Sequence, residues 1–377
     1  MSRGAWVEIS LQCIEHNVRE VARLLAPGTK LMAVVKADGY GHGACSAARA
    51  ALSAGASYLG VSLPQEGIKL RQDGVKAPIL VLGALQPAQV DEALRYDLAV
   101  TVADLQAARA LAGGARSRGK RAVVHVKLDT GMGRLGFLRD EAVACVVEVA
   151  GMPELHVEGV FTHLATADDP DQAFAKRQLE GFLAVMGELD KAGGRIPMRH
   201  AANSAATLWI PESRLDMVRT GIALYGLEPS RERPCGLDLR PALCFKAVVT
   251  AVRRLPAGSS VSYGAAYRTP RDTTIVTLPV GYADGFSRIL SGKAEVLIRG
   301  RRFPVAGRIC MDQLMVDVGE CPVSIGEQAV LIGRQGEERI TAEEVAQKLG
   351  TINYEVVSSI GPRVPRICHR LRDPDDL

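Results

Sequence analysis

Residues 32–43 read MAVVKADGYGHG, an apolar run that ends on a single lysine and then enters a glycine-rich turn. Alternation along the strand expected over 31–36 puts Leu31, Ala33 and Val35 on one face, and Met32, Val34 and Lys36 on the other. A helical pattern over 44–54 follows, so the stretch is one strand–loop–helix unit. The unit recurs. Strand-like runs at 58–62, 78–83, 98–102, 122–129, 157–164, 198–203 and 217–224 alternate with helical patterns at 64–72, 87–94, 104–113, 139–150, 172–192 and 204–210, and a first helix is expected at 11–25. Eight strands interleaved with eight helices predict an α/β fold, a (β/α)8 TIM barrel over 10–235. A doubly wound open sheet is the competing arrangement, although six strands are more usual there.

Beyond residue 235 the texture changes. The runs ALCFKAVVTAV, TTIVTLPV, AEVLIRG and QAVLIG are separated by Gly and Pro turns, with one late helix expected at 341–349. This predicts a C-terminal, mostly β-strand domain over 236–377, and the strand-like opening AWVEISL suggests that 1–9 join it. The last residues, RDPDDL, read as a frayed end.

The bulk numbers are those of an ordinary globular protein. Of 377 residues, 47% are hydrophobic and 23% charged, and the net charge is only +4. The tight basic cluster RSRGKR at 116–121 lies between two periodic segments and reads as a solvated loop, so nucleic acid is not an indicated partner. No apolar run is long enough to cross a bilayer, and the N-terminus lacks the pattern of a signal peptide. The eight cysteines are scattered, with no CxxC pair and no metal-ligand spacing; this fits a reducing, cytoplasmic setting without a metal site.

In a TIM barrel, ligand groups collect at the C-terminal ends of the strands. That rule selects Lys36, Arg134, His163, Ser204, Arg219 and Gly221. An amine at a strand end among apolar neighbours has its neutral form favoured, the form that condenses with an aldehyde; a strand lysine otherwise keeps its head in water. His125, Lys127 and Asp129 share one strand face, where polar groups are costly unless paired, and a local Lys127–Asp129 ion pair is one way to satisfy them. The glycines of DTGMGRLG bend the following loop and place Arg134 over the barrel mouth, able to clamp a carboxylate or a phenolic oxygen, although a loop arginine is by default a surface residue. Asn203 and Ser204 are ordinary helix caps as well as phosphate-binding candidates. Amides of Gly221 and Ile222, after Arg219, are suited to a phosphate. His163 is of a kind more often found satisfied in a core.

Taken together, VVKADGYGHG, HVKLDTGMGRLG, THLATAD, HAANSAA, VRTGIALYGL, VSYGAAY, LPVGYADG, GRICMDQ and INYEV resemble the alanine racemase family, in order and over nearly the whole chain. The resemblance implies a pyridoxal 5'-phosphate enzyme interconverting L- and D-alanine, which supplies D-alanine for peptidoglycan. It implies that Lys36 forms the Schiff base with the cofactor and that Tyr40, Ser204, Gly221, Ile222 and Tyr354 hold its phosphate. His163 would pack near the pyridine ring and Arg219 would face its nitrogen. Two catalytic bases on opposite faces of Cα are implied, Lys36 and Tyr263, the tyrosine coming from the second subunit of a homodimer. Arg134 and Met311 would bind the substrate carboxylate, and Cys310 and Asp312 would line the entrance. Lys127 matches a position carried by many members as a carbamate, and Asp38-Gly39 stands where many have Asn-Ala. A broader amino-acid racemase acting on serine and a non-catalytic carrier of the same cofactor are the competing functions. The residues beyond the barrel that hold Tyr263, Met311 and Tyr354 favour catalysis.

Overall fold

A computed structural model describes residues 4–194 and 196–370; the RDPDDL end lies outside the described residues. The chain divides into two units, one of Ile14–Gly39 and Ala44–Leu239, the other of Met1–Cys13, Tyr40–Gly43 and Arg240–Leu377. The four residues Tyr40–Gly43, expected within the span 10–235, thus group with the other unit.

The first unit is the barrel. Its parallel strands run Lys30–Val34, Tyr58–Val61, Ile79–Ala84, Ala99–Val102, Ala122–Asp129, Leu155–Phe161, Met198–His200 and Met217–Thr220, and the last of these pairs back onto the first. The remaining seam carries two backbone hydrogen bonds: Asp216 N–H donates to Arg199 C=O at 3.0 Å and Arg219 N–H to Ala202 C=O at 2.9 Å. These bonds leave no free edge of the kind that an open sheet would show.

Strand alternation sorts the side chains as the sequence predicts. Leu31, Ala33, Val35, Leu59, Val61, Ile79, Val81, Val100 and Val102 belong to one apolar cluster with helix residues such as Ala48, Leu70, Leu111 and Phe182. This layer between strands and helices is what closes the unit. The inward-facing set is different in kind, because Tyr58, Thr101, His125, Lys127, His200 and Arg219 are all buried. A barrel interior this polar has to satisfy its own hydrogen bonds.

The second unit is mostly β. Its main sheet orders the strands Arg301–Pro304, Glu295–Ile298, Gln328–Gln335, Leu243–Val248, Ala5–Ser10 and Arg366–His369, with Glu338–Ile340 on the side of Gln328–Gln335. The opening strand pairs antiparallel with Leu243–Val248 and parallel with Arg366–His369. The run ALCFKAVVTAV is not one strand but two. It switches sheets at Val249 and Thr250, whose amides donate to Glu327 and Thr277 carbonyls at 2.8 and 2.9 Å, and continues as Ala251–Leu255 in a three-stranded sheet. The helix Ala342–Leu349 starts on a Thr341 cap and stops at Gly350, φ 75°. A second helix, Asn353–Ser358, follows at once.

Gly281 shows how tightly this unit is built. Tyr282 and Ala283 amides donate to the carbonyls of Cys310 and Met311, each at 3.0 Å. A Cβ on Gly281 would fall 2.2 Å from the Met311 oxygen and 2.3 Å from that of Cys310. Gly281→Ala should therefore destabilise the protein by about 3 kcal/mol, because backbone cannot give way as a side chain can. Urea unfolding of the two proteins checks this, and an unchanged midpoint would contradict the tight packing.

Candidate active site

The loop after the first barrel strand begins with an unusual backbone. The strand ends at Val34, two residues before Lys36, and Ala37 (φ 52°, ψ 50°), Asp38 (φ 51°, ψ 46°) and Gly39 (φ 65°, ψ 42°) form a left-handed turn. Tyr40 and Gly41 keep φ positive as well. Glycine tolerates this and Asp does so moderately, whereas for Ala and Tyr it costs about 1–2 kcal/mol each. Hydrogen bonds offset part of that cost. Ala37 N–H donates to Glu66 Oε1 at 2.6 Å, Gly39 N–H to Val35 C=O at 2.9 Å, and Ala44 N–H to Asp38 Oδ1 at 3.2 Å. Lys36 is thus presented from a turn that is strained and stapled. Burial lowers its pKa, Arg134 adds to the effect, and Glu66 opposes it; the net shift is toward the neutral form.

Lys127 sits on the inward face of Ala122–Asp129. The Lys127–Asp129 ion pair expected from sequence does not form. Asp129 instead accepts the amides of Gly131, Gly133 and Arg134 at 2.9, 3.2 and 3.1 Å and so shapes the loop that carries Arg134. Lys127 Nζ is buried with no hydrogen-bond partner, 4.8 Å from the centre of the Phe161 ring. Burial holds its pKa well below the usual lysine range, with Arg219 and Arg134 pushing the same way. Arg134 is exposed, yet its charge reaches Lys36, Lys127 and His163 alike.

Arg219 is 4% exposed. Its guanidinium donates to the carbonyls of Thr162 at 2.8 Å and Ala201 at 2.9 Å, to His200 Nδ1 at 2.9 Å and to His163 Nδ1 at 3.3 Å. Burial alone brings its pKa down to about 9, which still leaves it cationic at neutral pH. His163, next to that cation, is held well below the usual histidine range, by burial first and by Arg219 second. It therefore accepts from Arg219 as a neutral ring.

Asn203 and Ser204 divide their tasks. Asn203 caps the helix Ser204–Trp209 through Ala206 N–H at 2.9 Å. The Ser204 hydroxyl accepts Gly221 N–H at 2.9 Å, and Gly221 leads into the turn Ile222–Tyr225. Ser204, Gly221 and Ile222 therefore lie together, as the sequence suggests, although the Gly221 amide is engaged by Ser204.

The remaining candidates belong to the second unit. Tyr40 and Tyr354 face each other with ring centroids 6.1 Å apart. Tyr263 stands on the single turn Tyr263–Ala265 and is 67% exposed; Met311 is 53% exposed. The two loops are tied together. Ser262, at φ 68°, donates its hydroxyl to Arg308 C=O at 2.5 Å and lies 3.9 Å from Cys310 Sγ. Asp312 accepts from Arg363 at 2.6 Å.

Sequence reasoning missed His200, Glu158 and Tyr58. Tyr58 and His200 were visible in principle, because both alternate in step with inward positions on predicted barrel strands. Glu158 was not, because strand alternation assigns it outward and only a register shift reverses that.

The residues fit pyridoxal phosphate. A half-buried amine shifted toward its neutral form is what an aldehyde needs, a hydroxyl beside two glycine-turn amides suits a phosphate, and a buried cation that can only donate suits an unprotonated ring nitrogen. Among the described residues no group of His, Cys, Asp or Glu side chains could hold a metal ion, and no helix is long and apolar enough to cross a membrane.

The family model for the alanine racemase N-terminal domain matches residues 9–229, and that for the alanine racemase C-terminal domain matches 242–368. An alanine racemase of Desulforamulus reducens is 47% identical over 370 residues, covering 97% of this chain and 99% of the relative. The crystal structure of the Bacillus anthracis alanine racemase with bound L-Ala-P superposes with a TM-score of 0.93 at 40% identity, covering 98% of this chain and 95% of that one. A histidine racemase of Leuconostoc mesenteroides superposes at 0.90 with 30% identity, covering 97% and 98%. Both domain models match in sequence order on a barrel and a β domain, and the chain belongs to the alanine racemase family.

Proposed function

We propose that this chain interconverts L- and D-alanine with pyridoxal phosphate bound to Lys36, using Lys36 and the Tyr263 of a second copy as the two bases. The observation that carries the reading is the set Lys36, Lys127, Arg134, His163 and Arg219 at the strand ends. It combines a buried amine, a buried guanidinium and an exposed one within electrostatic reach of each other. When bound, the cofactor supplies an electron sink for the substrate Cα.

The protein supplies placement and proton transfer. Racemisation removes a proton from one face of Cα and returns one to the other, so a single base on one face does not suffice. Lys36 serves one face. Tyr263, exposed on its own protomer, serves the other from the neighbouring subunit, with Met311 from the same tied pair of loops. Ser204, Gly221, Ile222, Tyr40 and Tyr354 hold the phosphate, and Arg134 with the partner's Met311 amide holds the substrate carboxylate. Arg219 donates to the ring nitrogen and has no proton to release at neutral pH, so that nitrogen stays unprotonated. A sink weakened in this way would disfavour side reactions.

Lys127 is the least comfortable residue in the barrel as an amine. It is buried without a partner among cations, and a carbamate on its nitrogen would turn it into an anion beside Arg134 and Arg219. We assign it that modification and the role of orienting Arg134.

Three outcomes follow. Lys36→Ala should lose the visible absorbance of the bound cofactor and lower alanine racemisation about a thousandfold or more; retained turnover would remove Lys36 from its role. Lys36→Ala and Tyr263→Phe, each nearly inactive alone, should regain up to about a quarter of wild-type activity when refolded together, because one of the two sites in each mixed dimer then carries neither substitution. No recovery would mean that each site is built within one chain. Protein equilibrated with 13C-labelled bicarbonate should give one carbamate resonance that Lys127→Met lacks; a spectrum without it would leave Lys127 unmodified.

A further inference from the structure

Arg219 is the near end of a hydrogen-bonded chain that crosses the barrel interior. Its Nη1 lies 2.9 Å from His200 Nδ1, His200 Nε2 lies 2.9 Å from His125 Nδ1, and His125 Nε2 lies 3.0 Å from Glu158 Oε2. Tyr58 donates to the same Glu158 oxygen at 2.7 Å. His125, His200 and Tyr58 are at most 1% exposed, whereas the Glu158 side chain is 26% exposed.

Donor chemistry fixes the direction of every link. A guanidinium has no acceptor, so His200 Nδ1 carries a lone pair and its proton sits on Nε2. That proton goes to His125 Nδ1, which must then accept, and the His125 proton on Nε2 goes to Glu158. The chain therefore runs one way, from a cation through two neutral rings to a carboxylate. Both imidazoles are pushed below the usual histidine range by burial, and the hydrogen bond from His125 leads in holding Glu158 down to about 2.

The backbone is shaped for this. A register shift in the pairing of Ala122–Asp129 with Leu155–Phe161 sets Val124 opposite Val157 and His125 opposite Gly159. Glu158 is the extra residue of a bulge, which turns its side chain toward His125 although Gly159 and Phe161 face inward. Gly159 supplies the room, since a Cβ there would lie 2.5 Å from His125 Nδ1. His200 is stacked on Phe161 with ring planes 5° apart, which fixes its orientation.

We propose that Glu158 is a positioning residue for racemisation: as the anionic end of the chain it sets the tautomers of His125 and His200, so that a lone pair and not a proton faces Arg219. The inference rests on the assignment of Arg219 to the ring nitrogen. Tyr58 is a built-in antagonist. Its hydroxyl lies 3.3 Å from His125 Nε2, so when Glu158 is removed it turns to donate there, His125 moves its proton to Nδ1, and His200 is driven to the tautomer that opposes Arg219.

Solid-state 15N NMR of the cofactor-loaded enzyme, labelled in histidine rings and assigned with His125→Gln and His200→Gln, tests the chain. Wild-type enzyme should show both rings neutral and protonated at Nε2. Glu158→Ala should move both protons and lower kcat about tenfold or more, while Glu158→Ala combined with Tyr58→Phe should restore the pattern and most of the turnover. Packing alone would make the double variant no better than the single one. The proposal is overturned by a wild-type proton on His200 Nδ1, which needs no variant to observe. A Glu158→Ala pattern equal to wild type, a moved pattern at unchanged kcat, and a double variant without recovery each overturn it too. An Arg219→Lys variant with wild-type turnover and cofactor absorbance would instead remove the placement of Arg219 and leave the histidine pattern intact, so the two failures are told apart.

Discussion

Inside the barrel a guanidinium is held without a carboxylate at its side. The Arg219 guanidinium donates to two backbone carbonyls and two imidazole nitrogens and lies 5.2 Å from the centre of the Phe161 ring. A buried cation of this kind is expensive unless each donor is met, and the surrounding structure is arranged to meet them. The carbonyls come from Thr162 and Ala201, just beyond the ends of two neighbouring strands, where backbone groups are free of the ladder. The imidazoles must be neutral to accept, and burial keeps them so. The anion joined to it by hydrogen bonds is Glu158, reached through two rings. Charge is thus separated along the barrel, with the cation buried at the strand ends and the anion toward solvent.

That arrangement explains why the same strands carry two kinds of pattern. Outward positions are Val, Leu, Ile and Ala in a continuous layer against the helices, and they decide the fold. Inward positions mix apolar residues such as Met32 and Phe161 with buried Tyr58, Thr101, His125, Lys127, His200 and Arg219, and this polar part bears on what the fold is for. The histidine racemase that superposes at 0.90 illustrates the separation, since the same architecture bears a name for another substrate there.

Much of this was legible from the sequence, and the exceptions have physical causes. The eight strands and the helices between them announced themselves because periodic burial dictates periodic residues. The glycines of 39, 41 and 43 marked a turn with positive φ, but nothing in the letters says that Ala37 and Tyr40 would also adopt it; tertiary hydrogen bonds impose that conformation. Asp129 beside Lys127 suggested an ion pair, and backbone amides two to five residues later won the carboxylate instead. Glu158 was invisible because alternation assigns it outward, and only the bulge reverses the assignment. The split of ALCFKAVVTAV between two sheets was hidden for a similar reason, since apolar periodicity continues through the corner.

The central claim is that a cationic Arg219, fixed by neutral imidazoles, faces the ring nitrogen of a cofactor anchored on Lys36. A crystal structure of the cofactor-loaded enzyme tests it most directly. The account predicts the guanidinium within hydrogen-bonding reach of the pyridine nitrogen and the Lys36 nitrogen bonded to the cofactor carbon. A carboxylate or water in place of Arg219 at that nitrogen, or a cofactor bound away from Lys36, would contradict it.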